Sequence, residues 1–190
     1  MRILIVIPAY NEQENIERVV DDLIQNYPQY DYLVVNDGSK DRTAAICREK
    51  GYHFLDLPVN LGLAGAFQAG LRYADRMDYD MAIQFDGDGQ HGPQYIEAMA
   101  AKMEEEALDV VIGSRFRDKK KPLSLRMMGN QMIQLAIQIT TGVTIKDPTS
   151  GMRMFNRSMI REFAHNLNYG PEPDTIAYLL RNGASVQEVQ

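Results

Sequence analysis

The segment Phe85-Asp86-Gly87-Asp88-Gly89-Gln90-His91 carries the sharpest chemical pattern in the chain. Asp86 and Asp88 lie one residue apart on a turn that follows a predicted buried strand, and two bare carboxylates that close together repel each other. A hard divalent cation relieves this repulsion, because Mg²⁺ and Mn²⁺ prefer carboxylate and phosphate oxygens as ligands. Gln90 offers a further carbonyl oxygen. The segment therefore predicts a metal–phosphate site, with a solvated Asp-Gly turn as the alternative.

A second cluster is basic, although the chain as a whole is acidic. Residues 115–121 read Arg-Phe-Arg-Asp-Lys-Lys-Lys, and Arg126 follows at the start of a predicted helix. Because arginine binds phosphate oxygens in a bidentate manner, Arg115 and Arg126 are candidates for an anion clamp. A solvated basic loop is an equally weighted alternative.

Three other acidic positions allow two interpretations each. Asp37 follows the second predicted strand, where it accepts hydrogen bonds from a nucleobase or ribose, or closes an Asx-turn. Glu172 and Asp174 either stabilise a helix N-terminus or supply a general base. The glycine-rich run at residues 60–65 matches neither the dinucleotide fingerprint nor the P-loop, so a bound nucleotide would not sit in a standard phosphate cradle.

Composition excludes several classes of protein. The 190 residues suffice for one domain, and a net charge of −6 argues against nucleic acid as a partner. The single cysteine, Cys47, cannot form an internal disulfide and is predicted to be a small core residue. No apolar run reaches the length of about 18 residues that spans a bilayer, and we expect no secretory signal, because the opening apolar run meets Pro8 too soon. We expect a cytoplasmic protein, and peripheral contact with the inner face of a membrane is an open alternative.

Strand-like and helix-like segments alternate along the chain, which predicts an α/β fold with a mostly parallel central sheet and helices on both faces. The predicted strands are residues 3–7, 32–35, 53–57, 81–85, 110–112, 152–155 and 184–189. The predicted helices are residues 16–24, 42–50, 63–77, 93–103, 125–139 and 172–181, the first with a capping-box-like start at Asn11 and Glu14. Because parallel strands share one carboxyl edge, the polar residues that follow them are expected to meet there.

The helix predicted at residues 125–139 has an apolar stripe. Its members share one helical face: Leu125, Met128, Met132, Leu135 and Ile139. Burial in the domain is the favoured interpretation of this stripe. Membrane contact, together with the preceding basic loop or through a membrane partner protein, is the alternative.

Taken in order, several motifs resemble those of the family 2 glycosyltransferases. They are Pro8-Ala9-Tyr10-Asn11-Glu12, Val35-Asn36-Asp37-Gly38-Ser39, Asn60-Leu61-Gly62, Asp86-Gly87-Asp88 and Asp147-Pro148-Thr149-Ser150-Gly151. Within that family the chain looks most like the branch of dolichyl-phosphate mannose synthase and the bacterial polyprenyl-phosphate sugar transferases. The resemblance implies one catalytic domain over residues 1–190 with the Rossmann-like GT-A fold. Residues 1–115 would be the nucleotide-sugar-binding half and residues 116–190 the acceptor-side half, with truncation at the C-terminus an open question.

The resemblance also implies roles for individual residues. One group would bind the donor, and all of its members except Gly62 would line the base and ribose pocket: Pro8, Tyr10, Glu12, Asp37 and Gly62. A second group would hold Mn²⁺ or Mg²⁺ on the diphosphate, with Asp88 also counted as catalytic: Asp86, Asp88 and Gln90. A third group would face the acceptor or the phosphates: Arg115, Arg126 and Asp174, or Glu172 in place of Asp174.

The expected reaction is inverting transfer of a sugar from a UDP- or GDP-type nucleotide sugar to a polyprenyl phosphate or a saccharide, in cell-envelope glycan synthesis. A metal ion stabilises the charge that develops on the leaving diphosphate. A phosphate acceptor needs no general base, because its second pKa of about 6 leaves it largely ionised at neutral pH. Two alternatives stay open at this point: a Mg²⁺-dependent phosphotransfer domain and a non-catalytic nucleotide-sugar-binding module.

Overall fold

The computed structural model describes residues 1–85, 93–114, 125–166 and 173–189, and at residues 93, 125–130 and 173 it describes the backbone alone. The strands are β1 (Ile3–Ala9), β2 (Asp31–Asn36), β3 (Phe54–Asp56), β4 (Met81–Gln84), β5 (Val110–Gly113), β6 (Arg153–Asn156) and β7 (Val186–Val189). The helices are α1 (Ile16–Asn26), α2 (Thr43–Lys50), α3 (Gly62–Arg76), α4 (Ile96–Glu105), α5 (Leu125–Thr141), α6 (Arg157–His165) and α7 (Pro173–Arg181). A 3₁₀ turn at Pro93–Tyr95 leads into α4.

The strands form a seven-stranded sheet in the order β3-β2-β1-β4-β6-β5-β7. Strand β1 pairs in parallel with β2 and β4, β2 pairs in parallel with β3, and β5 pairs in parallel with β7. The predicted α/β class with a mostly parallel sheet is therefore confirmed. The chain divides into two compact units, Met1–Pro93 with Phe155–Gly170, and Gln94–Met154 with Pro171–Gln190. This division differs from the halves predicted at residues 1–115 and 116–190, which concerned binding roles and stay a prediction.

The first unit is built on β1, whose apolar run is buried at almost every position. A parallel strand covered by helices on both faces needs such a continuous apolar run. The spacing of helix α1 predicts a buried stripe of Ile16, Val19, Val20, Leu23 and Ile24. The first four are buried, but Ile24 is 46% exposed, so the prediction is wrong for that residue. Cys47 on α2 is fully buried, which confirms its prediction as a core residue. These elements position the loops that follow β1 and β2.

Helix α6 belongs to the first unit and was not predicted from the sequence. The side chain of Asn156 accepts a hydrogen bond from the Met159 N–H at 2.9 Å and so caps the helix N-terminus. The helix buries Ile160, Phe163 and Ala164, which are spaced at i, i+3 and i+4. The capping residue and the apolar spacing are both present in the sequence, but the segment is too short for them to predict a helix.

An aromatic cluster joins α6 to α3. The ring centroid of Phe155 lies 5.1 Å from that of Phe163 and 5.5 Å from that of Phe67, and all three side chains are buried. Aromatic pairs at this separation stabilise a core beyond the area they bury. Arg72 of α3 donates from Nε to the Ala164 carbonyl oxygen at 2.9 Å, which satisfies a group at the C-terminal end of α6.

The second unit contains the parallel pair β5 and β7 with helices α4, α5 and α7. Helix α5 packs against α7 and buries Ile137. The opposite face of α5 leaves Met132, Leu135 and Ile139 exposed by 74%, 56% and 75%. The interpretation that this stripe is buried in the domain is therefore wrong for these three residues, because α7 covers the other side of the helix. Among the described residues, no helix combines the length and the apolar character needed to cross a membrane.

Candidate functional site

The carboxyl ends of β1, β2 and β4 meet at one edge of the first unit. In the parallel register Ala9 lies opposite Asn36, and the Asp37 N–H donates to the Ala9 carbonyl oxygen at 2.9 Å. The Phe85 N–H, just beyond β4, donates to the Val6 carbonyl oxygen at 2.9 Å. The residues that follow these strands therefore start from neighbouring positions, as expected for parallel strands that share an edge.

Asp37 is held at this edge by a residue far along the chain, whereas an Asx-turn would bond it to its own neighbouring backbone. Its side chain is almost fully buried, and Oδ1 accepts a hydrogen bond from the Leu61 N–H at 2.7 Å. Its carbonyl oxygen accepts from Asn60 Nδ2 at 3.2 Å. The second carboxylate oxygen accepts no hydrogen bond from the residues that the structure describes. One carboxylate oxygen of Asp37 is thus fixed by the chain, and the other keeps its capacity to accept a hydrogen bond.

Gly38 allows the loop at Val59–Gly62 to sit directly against the end of β2. Its φ angle is +64°, and a Cβ atom at this position would lie 2.7 Å from both the Asn60 nitrogen and the Val59 carbonyl carbon. No larger residue fits there without moving that backbone. The Gly62 N–H donates to Asn60 Oδ1 at 3.2 Å, so the loop also closes on itself at the start of α3.

Asp56, at the end of β3, is a residue of this edge that the sequence analysis missed. Asn36 Nδ2 donates to Asp56 Oδ1 at 2.6 Å, and Arg48 forms an ion pair with the same carboxylate. Asn36 is almost fully buried, and within the described ranges its Oδ1 meets no donor. A carboxylate at a strand end was the signal that singled out Asp37, and the same signal was present at Asp56.

The loop after β1 interlocks with the loop after β2. The Asn11 N–H donates to Ser39 Oγ at 3.0 Å, and Asn11 Oδ1 accepts from the Lys40 N–H at 2.9 Å. Asn11 has a left-handed φ of 57°, so it holds the loop instead of capping α1, and the predicted capping box with Glu14 is wrong. Asn and Asp tolerate this conformation better than other non-glycine residues.

The predicted donor-pocket residues Pro8, Tyr10 and Glu12 all lie on this first loop or the strand before it. Pro8 lies opposite Val35 in the sheet, and Tyr10 is 44% exposed. The Glu12 N–H donates to Thr43 Oγ1 at 2.9 Å, and its carboxylate accepts from the side chain of Asn15. The loop therefore carries one exposed aromatic residue and one carboxylate whose position is fixed by Asn15.

A cavity of about 420 Å³ lies beside these two loops. Its lining residues are Asn11, Gln13, Glu14, Asn15, Lys40 and Asp41. Burial acts to raise the pKa of Asp41, but hydrogen bonds from Thr43 and from the Gln13 N–H outweigh it and lower the pKa. Asp41 therefore links the two loops at the start of α2, where its carboxylate accepts from the Thr43 N–H at 2.9 Å and from the Gln13 N–H at 3.1 Å.

Several predicted residues lie outside the described part of the chain. They are Asp86, Asp88, Gln90, Arg115 and Glu172. Arg126 lies in the first turn of α5, but its side chain is not among those described. Within the described ranges no group of three His, Cys, Asp or Glu side chains is placed to hold a metal ion. The predicted metal and phosphate roles of these residues stay predictions.

Asp174 belongs to the second unit and lies in the first turn of α7. It lines a cavity of about 480 Å³ with Tyr178, Arg181 and Asn182. This position favours the interpretation that Asp174 stabilises the N-terminus of α7, because the helix dipole attracts a carboxylate there. The same exposed carboxylate is accessible to a ligand, so a role near the acceptor stays a prediction.

The motif Asp147-Pro148-Thr149-Ser150-Gly151 forms a loop in the second unit that buries Asp147, Pro148 and Ser150 and exposes Thr149. Arg153, which is 1% exposed, donates from Nη2 to the Pro148 carbonyl oxygen at 2.7 Å and from Nε to the Ser150 carbonyl oxygen at 3.1 Å. Glu188 on β7 accepts from the Lys146 N–H at 2.8 Å and from the Asp147 N–H at 2.6 Å. A buried arginine and a bidentate carboxylate thus fix this loop, a role that its sequence did not reveal.

The fold is similar to solved glycosyltransferase structures. A mannosyltransferase, PcManGT from Pyrobaculum calidifontis, solved with GDP-Man and Mn²⁺, superimposes with a TM-score of 0.70 at 18% identity. The match covers 99% of this chain and 54% of that chain. Glucosyl-3-phosphoglycerate synthase from Mycobacterium tuberculosis, solved with Mn²⁺, UDP and glucosyl-3-phosphoglycerate, gives a TM-score of 0.71 at 19% identity over 99% of this chain and 69% of that chain. At these identities the likeness shows the fold, which confirms the expected GT-A architecture.

The sequence itself is also similar to several transferases. It is 30% identical over 186 residues to the UDP-N-acetylglucosamine–dolichyl-phosphate N-acetylglucosaminyltransferase of Methanococcus voltae, covering 87% of this chain and 73% of that protein. It is 29% identical over 202 residues to the polyprenol monophosphomannose synthase of Mycolicibacterium smegmatis, covering 99% of this chain and 76% of that protein. The sequence model described as "Glycosyl transferase family 2" matches residues 4–163. The chain therefore belongs to glycosyl transferase family 2, as its ordered motifs predicted.

Proposed function

We propose that this glycosyltransferase moves a sugar, with inversion, from a nucleoside-diphosphate sugar to a polyprenyl phosphate. The observation that carries the proposal is Asp37, a buried carboxylate with one oxygen fixed by the Leu61 N–H and the other left to a ligand. Such a carboxylate is suited to accept hydrogen bonds from a nucleobase N–H or a ribose hydroxyl, because its position is set before the ligand arrives. We infer a lipid-phosphate acceptor from the names of the relatives in Methanococcus voltae and Mycolicibacterium smegmatis.

Pro8, Tyr10, Glu12 and Gly62 are assigned to the donor pocket around Asp37. The exposed ring of Tyr10 offers a flat apolar surface for a base, and the loop that begins α3 at Gly62 is tied to Asp37 through Asn60 and Leu61. The buried Oδ1 of Asn36 adds an acceptor at the same edge, of the kind that a ligand hydroxyl satisfies. These features support nucleotide binding at this edge.

Asp86, Asp88 and Gln90 are assigned to a divalent metal ion, because two carboxylates and an amide oxygen are hard ligands that suit either Mg²⁺ or Mn²⁺. When bound, the ion supplies Lewis-acid stabilisation of the leaving diphosphate. The two relatives of known structure named above were solved with Mn²⁺. The position of Asp86 directly after the buried Phe85 supports delivery of these ligands to the edge that carries Asp37.

Arg115 and Arg126 are assigned to the anionic groups, either the donor phosphates or the acceptor phosphate. A phosphate acceptor is already ionised at neutral pH and attacks without a general base. Asp174 then serves to position the acceptor. A saccharide acceptor would instead require a base to remove a hydroxyl proton, so the two acceptors differ in the pH dependence that they predict.

The test uses purified protein, a short-chain polyprenyl phosphate and a panel of GDP-mannose, UDP-glucose and UDP-N-acetylglucosamine, with the lipid product detected by mass spectrometry. We expect one donor to yield a glycosylated lipid phosphate, with loss of product in EDTA and recovery on addition of Mn²⁺ or Mg²⁺. Asp88→Ala should lower turnover by about a hundredfold or more, as the loss of other key electrostatic groups does. Full turnover in excess EDTA would refute the metal assignment.

Asp37→Asn tests the donor site separately. This variant keeps the Oδ1 acceptor for the Leu61 N–H, but it replaces the second oxygen by an NH₂ group that donates. We expect the dissociation constant of the nucleotide, measured by calorimetry, to rise about ten- to a hundredfold, because a hydrogen bond to a charged acceptor is lost. Asp22→Asn, an equal charge change at an exposed position of α1, is the matched control. Equal affinity of the two variants would remove Asp37 from the site. Tight nucleotide binding without turnover of any donor would favour the non-catalytic alternative.

A further inference from the structure

Side chains join the loop after β1 to the loop after β2. Within the described residues, five hydrogen bonds run from a backbone N–H of one loop to a side chain of the other. Three N–H groups of the first loop donate to the second: Asn11 to Ser39 Oγ at 3.0 Å, Glu12 to Thr43 Oγ1 at 2.9 Å and Gln13 to Asp41 Oδ2 at 3.1 Å. Two N–H groups of the second loop donate to the first: Lys40 to Asn11 Oδ1 at 2.9 Å and Arg42 to Gln13 Oε1 at 3.1 Å. We call this set the interloop clasp, and because each bond uses a side-chain acceptor, the clasp depends on these residue types.

Thr43 lies at the centre of the interloop clasp, and its side chain is fully buried. While Oγ1 accepts from the Glu12 N–H, it donates to Asp41 Oδ1 at 2.6 Å, and the Thr43 N–H donates to the same oxygen at 2.9 Å. The other carboxylate oxygen of Asp41 accepts from the Gln13 N–H. A hydroxyl has one O–H donor and two lone pairs, so it can serve both of its bonds at once. One carboxylate, directly and through one hydroxyl, therefore holds two consecutive N–H groups of the loop after β1.

The interloop clasp fixes the backbone of Glu12, a residue assigned to the donor pocket. Its N–H is held by Thr43, and its carbonyl oxygen accepts from the Ile16 N–H at 2.9 Å at the start of α1. Its carboxylate accepts from Asn15 Nδ2 at 2.9 Å. Asp37, assigned to the same pocket, lies on the loop at the other side of the clasp. Because ordering a loop on binding lowers affinity, two loops that are already fixed bind a ligand more tightly.

We propose that Thr43 is a positioning residue for donor binding: through the interloop clasp it holds the loop that carries Glu12 against the loop that carries Asp37 before the nucleotide arrives. Because Thr43 is fully buried, it acts through Glu12 and does not touch the nucleotide. The inference rests on the proposed function, since it concerns the donor pocket assigned there. A purely structural clasp is the competing interpretation, in which these hydrogen bonds stabilise the fold and leave nucleotide affinity unchanged.

The test compares two substitutions of Thr43 that remove different atoms. Thr43→Val keeps the shape and removes the hydroxyl, whereas Thr43→Ser keeps the hydroxyl and removes a methyl group. Calorimetry measures the binding of GDP and of UDP in the presence of Mn²⁺. We expect the dissociation constant of the nucleotide that binds to rise about tenfold in Thr43→Val and less than about threefold in Thr43→Ser. A role in core packing alone predicts that only the serine variant changes, because it leaves a small cavity.

Steady-state kinetics separate positioning from a loss of folded protein. In Thr43→Val the KM for the nucleotide sugar should rise about tenfold while kcat at saturating donor stays the same, which is the pattern of lost binding energy. A variant that is merely less folded loses kcat at unchanged KM. Amide hydrogen exchange at Glu12 should be faster in Thr43→Val, because the N–H has lost its acceptor, and this measurement needs no nucleotide.

Gln13→Met is a second variant, which keeps the test decisive if Thr43→Val does not fold. Gln13 is exposed, and the change removes only the acceptor for the Arg42 N–H, so we expect a folded protein with about threefold weaker nucleotide binding. Unchanged nucleotide affinity in the folded variants would overturn the inference and leave the proposed function standing. Faster exchange at Glu12 without a change in affinity would show a purely structural clasp and likewise overturn it. If the unchanged protein binds neither GDP nor UDP, the proposed function fails and the inference fails with it.

Discussion

Gly38 offers a quantitative test of how the donor-side edge is assembled. In Gly38→Ala the new Cβ would lie 2.7 Å from two backbone atoms of the loop at Val59–Gly62, at a φ of +64°. An L-residue in the left-handed region costs about 1–2 kcal/mol, of which about 0.4–1 kcal/mol is recovered because the unfolded chain loses freedom. The collision with a backbone that cannot rotate away adds about 1–3 kcal/mol. The expected total is a loss of about 2–4 kcal/mol.

Gly51→Ala is the matched control for the cost of the left-handed backbone conformation without a collision. Gly51 has a φ of +68°, and a Cβ there would meet nothing within 4 Å, so we expect a loss of only about 0.5–1 kcal/mol. Urea unfolding followed by circular dichroism gives both values, with unchanged m-values showing that the transitions are comparable. Because Gly38→Ala also displaces the Leu61 N–H from Asp37, it should weaken nucleotide binding while Gly51→Ala does not. Equal stability of the two variants would refute the close packing of the loop on Gly38.

Three further outcomes follow from the described contacts. Burial raises the pKa of the Cys47 thiol to about 11, so we expect iodoacetamide to leave Cys47 unmodified at neutral pH until the protein is unfolded, and mass spectrometry reports this. Burial, and then the hydrogen bond to Asp31, raise the pKa of Tyr79 to about 12 from its ordinary 10.0. The folded state keeps the Tyr79 proton where the unfolded state loses it, so urea unfolding should show stability falling as the pH rises through this interval, and less steeply in Tyr79→Phe. Glu188→Gln weakens two backbone hydrogen bonds, so hydrogen exchange at Lys146 and Asp147 should become faster while the global stability changes little.

Much of the fold followed from the sequence because its strands are strongly patterned. The continuous apolar run of β1 is buried as predicted, and so is the stripe of α1 apart from Ile24. Helix α6 escaped prediction because it has only nine residues, and its existence depends on the pairing of Phe155 and Phe163 with α3, a contact between distant parts of the chain. Local pattern does not contain such tertiary information.

The residue types of the candidate site could be predicted from the sequence, but the contacts that hold these residues in place could not. The strand-end rule found Asp37, and its contact with the Leu61 N–H depends on the positive φ of Gly38 and the close approach of a second loop. The stripe of α5 was recognised, yet its burial was predicted wrongly, because amphipathic spacing shows that a face is apolar without showing what covers it.

Because α6 packs on α3, which lies far earlier in the chain, the order of synthesis determines when the first unit can fold. Phe67 is synthesised early, whereas Phe155, which packs against it, and Phe163, which packs against Phe155, are translated only after the intervening residues 94–154 of the other unit. A nascent chain therefore exposes this side of α3 until α6 has left the ribosome, and the first unit cannot complete its core before that moment. A gene fragment that stops after β5 would carry the same open side permanently, and we expect it to aggregate.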